Sequence, residues 1–437
     1  MYTCGPTVYN HAHIGNFRAY VFEDLLQRHL ELRGFRVERV MNLTDVDDKT
    51  IRGARQAAIP LNKFTQPFKD AFFEDLGTLR IKRADHFPNA TDYVAQMIGM
   101  IAELLKKDIA YQAEDQSVYF RLNRFPAYGK LAHLNLEELR PSGRIASDEY
   151  EKESVGDFAL WKAWDEADGD VVWEAPWGRG RPGWHIECSA MAMTLLGPQL
   201  DIHCGGVDNL FPHHEAEIAQ SESLTGKQFA RFWLHNAHLM VEGQKMAKSA
   251  GNFFTLRDLL AKGWTGREVR YALISVNYRL PLNFTFDGLQ AARTALGRID
   301  EWVDRITKLS AGATLPSEHA LAGDRGFEEA LDDDLNISGA LGHLFEAIRE
   351  SNRLMDANAL SSADALAMVS RWKQINSVLG IQPDAVEVPA EVLALLEQRQ
   401  AARAAKDFAG SDNLRGKIAE FGWEVKDTKE GQKLTRR

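Results

Sequence analysis

The chain has 437 residues, of which 52 are lysine or arginine and 62 are aspartate or glutamate, so its formal net charge is −10. This length is typical of about three domains. A composition with 45% hydrophobic and 26% charged residues excludes a disordered, collagenous or coiled-coil chain. No stretch approaches the ~18 apolar residues of a membrane span, and the first residues do not have the pattern of a secretory signal. The acidic excess argues at first against a nucleic-acid partner.

Only three cysteines are present, Cys4, Cys188 and Cys204. An odd and sparse set argues against a disulfide framework and favours a reducing cytoplasm. We interpret Cys204 as a small buried residue.

The first fifty residues have the pattern of a βαβ unit. A short β-prone segment ends at Gly5-Pro6, apolar residues recur at helical spacing from Phe17 to Leu32, and a second strand is predicted over 35–43. A βαβ unit indicates an α/β fold with a Rossmann-like, doubly wound parallel sheet, which binds its ligand at the carboxyl ends of the strands.

Residues 111–180 interrupt this pattern with short β-like runs, many charges and four tryptophans, which predicts a domain inserted into the sheet domain. The α/β pattern then resumes, with strands expected at 200–204 and 232–239 and a helix at 212–224. The chain beyond residue 255 is mostly helical, with helices predicted at 256–263, 267–276, 287–308, 324–357, 362–379 and 390–406. The last stretch, 408–437, is predicted to form a small unit of its own.

The triplet His13-Ile14-Gly15, followed by Asn16, stands between the first strand and the first helix. A helix N-terminus has unpaired N–H groups and a positive dipole end, Gly15 permits close approach, and His13 and Asn16 are able to donate to a phosphate. A nucleotide triphosphate is therefore one candidate ligand. A capping histidine in an ordinary loop is the alternative, and so short a pattern favours it when taken alone.

A second motif is Lys245-Met246-Ala247-Lys248-Ser249. Two lysines three residues apart on a glycine-flanked loop are able to neutralise charge on transferring phosphates. An isolated pair of this kind is far more often a solvated surface loop. Because the His13 motif precedes this one in the same chain, the phosphate-binding interpretation becomes the favoured one.

A third motif, Pro212 to Glu217, is predicted to open a helix. His213 and Glu217 are four residues apart and share one face, so either is a possible zinc ligand. Compensation of the helix dipole is the more probable alternative for this motif alone. Cys4 and Cys188 lie far from it in sequence, and only a fold that unites strand ends would bring all four residues together.

Taken together, these motifs resemble the cysteinyl-tRNA synthetases, a family of class I aminoacyl-tRNA synthetases. The resemblance covers nearly the whole chain, including the C-terminal tail, and rests on the segments 4–9, 13–16, 42–49, 183–191, 201–203, 206–208, 211–220, 245–249, 406–412 and 427–428. It implies a Rossmann-like catalytic domain at 1–110 and 181–240 with an inserted connective domain at 111–180. It further implies a stem-contact region at 241–310 with the lysine loop, an α-helical bundle at 311–400 and an anticodon-binding unit at 401–437.

The resemblance implies one zinc ion per chain, held by Cys4, Cys188, His213 and Glu217. Zinc favours thiolate ligands and lowers the pKa of a bound thiol, so this metal would select cysteine over serine without an editing site. Four protein ligands normally close a zinc site. We therefore expect a weak contact from Glu217 or a five-coordinate substrate complex.

The resemblance also implies two chemical steps, namely formation of cysteinyl-adenylate from ATP and transfer of the acyl group to tRNA. Thr44, Trp184 and Asp208 are expected to surround the substrate cysteine. The ATP, with its Mg²⁺, is expected to contact a larger set of residues: His13, Gly15, Asn16, Asp208, Lys245 and Lys248. We assign the catalytic roles within this set to His13, Asn16, Lys245 and Lys248.

Two residues depart from the family pattern, since Asn16 stands where histidine is common and Ala247 stands where serine is common. The family also usually begins well upstream of the Cys-Gly-Pro motif. Either the native start lies before Met1 or this form lacks an N-terminal sheet segment, and we expect the former.

The C-terminal segment 401–437 has nine basic and six acidic residues, a net charge of +3, which leaves −13 for the rest of the chain. Such a local basic patch is what contact with nucleic-acid phosphates requires. The resemblance implies that Phe408 stacks on an anticodon base and that Arg403, Asp412 and Asp427 contact base edges. A solvated amphipathic helix is the alternative. The expected partners are tRNA(Cys), ATP and L-cysteine, with no membrane, in a cytoplasmic monomer.

Two rival functions remain open. A small-molecule cysteine ligase on the same core would form the same adenylate but would not need the C-terminal unit. A non-catalytic, zinc-stabilised RNA-binding protein would not need His13, Lys245 and Lys248.

Overall fold

The computed structural model describes residues 1–134, 156–247, 251–314, 325–383, 388–428 and 431–436. The chain divides into two compact units, Met1–Ile381 and Gln382–Arg437. Among the described residues, no helix is long and apolar enough to cross a membrane.

The first part of the chain forms two short strands and four helices, with these bounds: β1 Tyr2–Thr3, α1 Ile14–Leu32, β2 Val40–Met41, α2 Asp48–Ala57, α3 Leu61–Thr78 and α4 Val94–Lys106. Helix α1 begins earlier than the apolar pattern indicates because His13 caps its N-terminus. The predicted strand 35–43 is largely wrong, since only Val40 and Met41 are in a strand. Residues 33–36 are exposed, so the side chains at the start of the predicted strand have no sheet to pack against.

The segment after α4 forms an antiparallel sheet of five strands in the order β3-β4-β5-β7-β6. The bounds of its strands are β3 Ala110–Gln112, β4 Val118–Phe120, β5 Phe158–Ala163, β6 Trp173–Ala175 and β7 Gly178–Pro182. Phe120, Leu160 and Trp161 are buried in its core. This sheet coincides closely with the segment 111–180 that interrupts the α/β pattern.

The α/β pattern then returns with a second set of elements: α5 Trp184–Leu196, β8 Leu200–Gly206, α6 Val207–Asn209, α7 Glu215–Thr225 and β9 Ala230–Asn236. Strands β2, β1, β8 and β9 are adjacent in that order and all parallel, which confirms the predicted fold class. The predicted helix 212–224 agrees closely with α7, because Phe211, which has extended backbone angles (φ −137°, ψ 131°), is the one non-helical residue of the preceding helical turn Leu210–His214.

A small sheet and three helices follow: β10 Leu239–Val241, β11 Gln244–Lys245, α8 Leu256–Ala261, α9 Gly266–Ile274, β12 Leu282–Phe284 and α10 Phe286–Leu309. The bundle continues with α11 Gly326–Asp332, α12 Ile337–Asp356 and α13 Ser362–Leu379. The single helix predicted over 324–357 is wrong. Asp334 and Leu335 have positive φ angles of 51° and 52°, which break it in two.

The second unit contains α14 Ala390–Ala404, α15 Phe408–Glu420, β13 Trp423–Thr428 and β14 Gly431–Arg436. Its core is formed by Val392, Ile418, Trp423 and Val425. Helix α14 packs within this core, so the unit begins before residue 401, where the sequence analysis placed its start.

Candidate functional site

The parallel sheet brings four distant donor residues to one place. Cys4 follows the central strand β1, Cys188 lies on α5, and His213 and Glu217 lie at the start of α7. The backbone N–H of Cys4 donates to the carbonyl of Cys204 on the neighbouring strand β8 over 3.2 Å, which continues the ladder to the carboxyl end of β1. Ligand sites at such strand ends are characteristic of open parallel sheets.

The donor atoms of Cys4, Cys188, His213 and Glu217 all lie within 4.8 Å of one another. His213 Nε2 lies 3.1 Å from Glu217 Oε1, and both side chains are buried. That contact does not have the angles of a hydrogen bond, and Glu217 Oε1 has no hydrogen-bond partner among the described residues. A buried carboxylate oxygen without a hydrogen-bond partner costs free energy. The cluster offers two sulfur donors, one nitrogen and one oxygen, and this donor set suits Zn²⁺. The residues therefore fit a zinc ion.

A second donor set overlaps the first. It consists of Cys4, His203, His214 and Glu217, whose ligand atoms also lie within 4.8 Å of one another. His203 Nε2 is 2.9 Å from Glu217 Oε2, and His214 Nε2 is 3.4 Å from Cys4 Sγ. The sequence analysis assigned no role to either histidine. The position of His203 on a predicted strand, near its carboxyl end, was the signal available for finding it.

Burial controls the protonation of these donors. The hydrogen bond between the two thiols, followed by burial, raises the pKa of Cys4 well above its usual value. Burial also raises the pKa of Glu217 and lowers that of His213. Each shift favours the neutral form, so the pocket alone disfavours charge. A bound cation reverses this preference because it stabilises thiolate and carboxylate.

Trp184 lies beside this cluster. The Trp184 ring stacks on His213 with centroids 4.2 Å apart and an interplanar angle of 17°, yet 44% of the residue is exposed. The tryptophan thus separates the donor cluster from solvent rather than filling the core. Thr44 is buried, and its hydroxyl accepts a hydrogen bond of 3.1 Å from Asn42 Nδ2. Asp208 is exposed on α6, and its carboxylate lies 3.4 Å from His238 Nδ1.

The His13–Asn16 signature forms a reciprocal cap at the start of α1. Asn16 N donates to His13 Nδ1 over 3.2 Å, and His13 N donates to Asn16 Oδ1 over 3.1 Å. Because Nδ1 accepts this hydrogen bond, the neutral ring has its proton on Nε2. His13 is therefore able to donate to a ligand through Nε2.

The lysine loop lies against this signature. A Cβ atom at Gly15 would lie 3.2 Å from the Met246 side chain and 2.9 Å from the His13 ring, so the close approach requires glycine. Ile14 N donates to Phe254 O over 3.0 Å, which ties the far end of the loop to α1. Lys245 is exposed on β11. Lys248, the second lysine of the motif, lies outside the described residues.

Asn252 holds the two sides of the lysine loop together. Its Oδ1 accepts from Ala247 N over 2.8 Å, and its Nδ2 donates to Lys245 O over 3.2 Å. The sequence analysis did not predict this residue. The asparagine three residues after Ser249 was visible in the sequence, but no spacing rule assigns it this role.

The C-terminal unit presents only some of its predicted residues to solvent. Phe408 is 66% exposed and Asp412 is exposed. Asp427, in contrast, accepts two hydrogen bonds of 2.9 Å from Arg399 and one of 2.7 Å from Arg403. The hydrogen bond from Arg399 lowers the pKa of Asp427. Asp427 and Arg403 are thus paired with each other in the unit as it stands.

Three family models match the chain. They describe a class I (C) tRNA synthetase catalytic domain over residues 1–294, a DALR domain over 326–382, and a cysteinyl-tRNA ligase anticodon-binding domain over 385–434.

Two similar proteins are the cysteine–tRNA ligases of Chlamydia pneumoniae and Protochlamydia amoebophila. The chain is 53% identical to the first, over 99% of this chain and 93% of that protein. It is 50% identical to the second, over 99% of this chain and 92% of that protein.

Solved structures are similar at the level of the fold. Methionyl-tRNA synthetase of Mycobacterium tuberculosis bound by methionyl-adenylate matches with a TM-score of 0.65 and 16% identity, over 94% of this chain and 96% of that chain. Arginyl-tRNA synthetase of Campylobacter jejuni matches with a TM-score of 0.58 and 13% identity, over 87% of this chain and 92% of that chain.

Proposed function

Because the chain belongs to the cysteine–tRNA ligase family of class I tRNA synthetases, we propose that it joins L-cysteine to tRNA(Cys) through a cysteinyl-adenylate. In the first step the cysteine carboxylate attacks the α-phosphate of ATP, which forms the adenylate and releases pyrophosphate. In the second step the terminal adenosine hydroxyl of the tRNA attacks the acyl carbon, and AMP leaves.

The buried donor cluster is the observation that carries the choice of cysteine as substrate. Cys4, Cys188, His213 and Glu217 would hold one zinc ion, because their donor atoms lie together and one carboxylate oxygen has no other partner among the described residues. Bound zinc supplies a preference for thiolate over hydroxyl. A pocket of apolar side chains would separate cysteine from serine by only ~1–3 kcal/mol.

The residues around the cluster have positioning roles in this proposal. Trp184 covers His213 and keeps water from the substrate side chain, and Thr44 would contact the amino acid, as the resemblance to the family implies. Asp208 is exposed on α6, where it is available to the amino group of the substrate or to the ribose of ATP.

The nucleotide would lie between the N-terminus of α1 and the lysine loop. The substrate carboxylate is already ionised at neutral pH, so the first step needs alignment and charge stabilisation rather than a general base. His13 Nε2 and the side-chain amide of Asn16 donate to the phosphates, and Gly15 permits the phosphates to approach closely. Lys245 and Lys248 neutralise charge on the phosphates. ATP is expected to bring its Mg²⁺.

The second unit would bind the anticodon of the tRNA. The exposed ring of Phe408 is suited to stacking on a base, and Asp412 is available to contact a base edge. Arg403 and Asp427 would contact bases only if their mutual ion pair opens or is shared with the RNA. A cytoplasmic monomer completes the proposal, and the three cysteines, all of which are free thiols, agree with a reducing compartment.

The small-molecule cysteine ligase is disfavoured by the match to an anticodon-binding domain over 385–434. A ligase that acylates a small amine has no use for such a unit. The non-catalytic RNA-binding protein is disfavoured because the lysine loop packs on the His13 signature.

One experiment distinguishes the three functions. Cysteine-dependent ATP–pyrophosphate exchange is measured first, and acylation of purified tRNA(Cys) is measured second. We expect both reactions, with serine at least about 10³-fold poorer than cysteine. Exchange without acylation would favour the small-molecule ligase, and no exchange would leave the binding protein.

A further inference from the structure

Four arginines converge on the carboxyl end of α13. Each donates a hydrogen bond to a different backbone carbonyl within residues 377–381. The pairs are Arg28 Nη1 with Ser377 O at 2.9 Å, Arg270 Nε with Leu379 O at 2.7 Å, Arg80 Nη1 with Gly380 O at 3.4 Å, and Arg267 Nε with Ile381 O. We name Arg28, Arg80, Arg267 and Arg270 the arginine clamp.

Gly380 allows the clamp to close. Its φ angle is +64°, and a Cβ atom at this position would lie 3.1 Å from Arg270 Nε and 3.2 Å from Arg270 Cζ. Glycine therefore meets two requirements here, the left-handed turn that ends α13 and the close approach of a guanidinium.

The clamp is anchored on α1. Arg270 is fully buried, and its Nη2 donates to Asp24 Oδ2 over 2.6 Å. Arg28 Nε donates to the same oxygen over 2.8 Å. Asp24 and Arg28 both belong to α1, whose N-terminus is capped by His13. The clamp thus connects the end of the bundle to the helix that begins at the nucleotide signature.

A helix end is stabilised by fewer contacts than the four arginines make. The end of α13 is already closed without the arginines, since Gly380 N donates to Asn376 O over 2.7 Å and Ile381 N donates to the Asn376 side chain over 2.9 Å. Ordering four arginine side chains in addition costs rotamer entropy. Cationic groups at a helix C-terminus recover part of this cost. What the clamp adds is a fixed position for residues 377–381.

The chain leaves the first compact unit directly after Ile381, and the second unit begins at Gln382. We propose that the arginine clamp positions the point from which the anticodon-binding unit departs, relative to α1, and that Arg28 and Arg267 are positioning residues for acyl transfer to tRNA. This inference rests on the proposed function. It assigns no role to the clamp in adenylate formation, which needs no tRNA.

The test compares two reactions in the full-length protein. Arg267→Met removes one contact of the clamp at a partly exposed position, where Arg267 also pairs with Asp300 at 2.8 Å. Arg28→Met removes a second contact. We expect each variant to retain ATP–pyrophosphate exchange within about twofold of wild type and to lose at least about tenfold in kcat/KM for tRNA. Arg267→Lys keeps the charge and one donor, and we expect it to recover part of the loss.

Arg353→Met is the matched control. Arg353 also lies on a helix of the bundle, but its one ion pair within the described residues is with Glu350 on the exposed surface of that helix, so both reactions are expected to stay at wild-type rates. Thermal unfolding of each variant establishes that it is folded. An equal fall in exchange and acylation, or no fall in acylation, would overturn the role of the clamp. A wild-type protein that fails to acylate tRNA would instead overturn the proposed function, and the positioning role with it.

Discussion

The Nε2 atom of His213 lies 3.1 Å from Oε1 of Glu217, one helical turn further along the chain. The same carboxylate receives His203 at its other oxygen, where Nε2 and Oε2 are 2.9 Å apart. His203 thus holds Oε2 of Glu217, and Oε1 faces the donor cluster. An imidazole that holds a carboxylate ligand in this way orients it and strengthens its binding to a metal.

Replacement of Cys188 by serine is expected to remove most of the zinc. The hydroxyl is a poor zinc ligand at neutral pH, and three remaining donors in a buried pocket bind the metal weakly. We expect the zinc content of the purified protein to fall from about one ion per chain to well below one half. The rate of cysteine-dependent ATP–pyrophosphate exchange is expected to fall at least about 10²-fold.

Cys204→Ser is the matched control for this change, because Cys204 is equally buried but belongs to neither donor set. Its zinc content is expected to equal that of the wild type. Zinc retained by the Cys188 variant at one ion per chain would show that the donor set is assigned wrongly.

The sequence predicts the parallel sheet and the donor types, but it does not predict how they meet. Cys4 follows strand β1 and Cys188 lies on helix α5. Hydrophobic periodicity specifies neither which strands pair nor which helix packs beside them. His203 and His214 were missed for the same reason. The ion pair between Arg403 and Asp427 joins α14 to the C-terminal hairpin, which no local pattern in the sequence indicates.

Removal of the Lys245 side chain is expected to slow adenylate formation. Lys245→Ala takes away a cation that we assign to the phosphates, and such groups contribute most where charge develops in the transition state. We expect exchange to fall by about 10²-fold while the KM for cysteine changes less than about threefold. Lys248→Ala is expected to have an effect at least as large.

Lys262→Ala serves as the control for the lysine variants, because Lys262 is exposed at the end of α8 and is not part of the loop motif. Its exchange rate is expected to match the wild type. An unchanged exchange rate in both loop variants would remove the lysine loop from the proposed mechanism.

Asn252 is expected to matter through the shape of the lysine loop. Asn252→Ala loses the hydrogen bond from Ala247 N and the hydrogen bond to Lys245 O, so the two lysines are expected to be less well aligned. We expect a higher KM for ATP and a lower exchange rate, each by about tenfold. Asn252→Asp keeps the acceptor and loses the donor, and an intermediate rate is expected. Equal rates for wild type and the alanine variant would contradict this role.

Phe408 and Phe421 provide a matched pair for the anticodon contact. Both rings are exposed, at 66% and 51%, and they lie at opposite ends of α15. Loss of one base-stacking aromatic costs about 1–3 kcal/mol of binding. Phe408→Ala is therefore expected to raise the KM for tRNA about tenfold without changing exchange, whereas Phe421→Ala is expected to leave both unchanged. Equal effects of the two substitutions would argue against a specific contact by Phe408.

Glu23 is a buried carboxyl group on α1, and burial raises its pKa from 4.5 to about 8, although Arg39 opposes the shift. A carboxyl group with a higher pKa in the folded state binds more protons when folded than when unfolded. The contribution of Glu23 to stability is therefore fully present below about pH 4.5 and is lost as the pH rises towards 8. Above about pH 8 the loss of stability due to Glu23 does not increase further.

Glu23→Gln keeps the shape of the side chain and removes its charge, so the variant escapes this loss. Its melting temperature is expected to equal that of the wild type near pH 5 and to exceed it by roughly 2–5 °C at pH 8.5. Melting curves at pH 5.0, 7.0 and 8.5 measure the difference. Glu114→Gln, at an exposed position in the β3–β4 loop, is the control for loss of a glutamate elsewhere in the chain. A difference between Glu23→Gln and wild type that stays constant across these pH values would show that Glu23 does not titrate in this range.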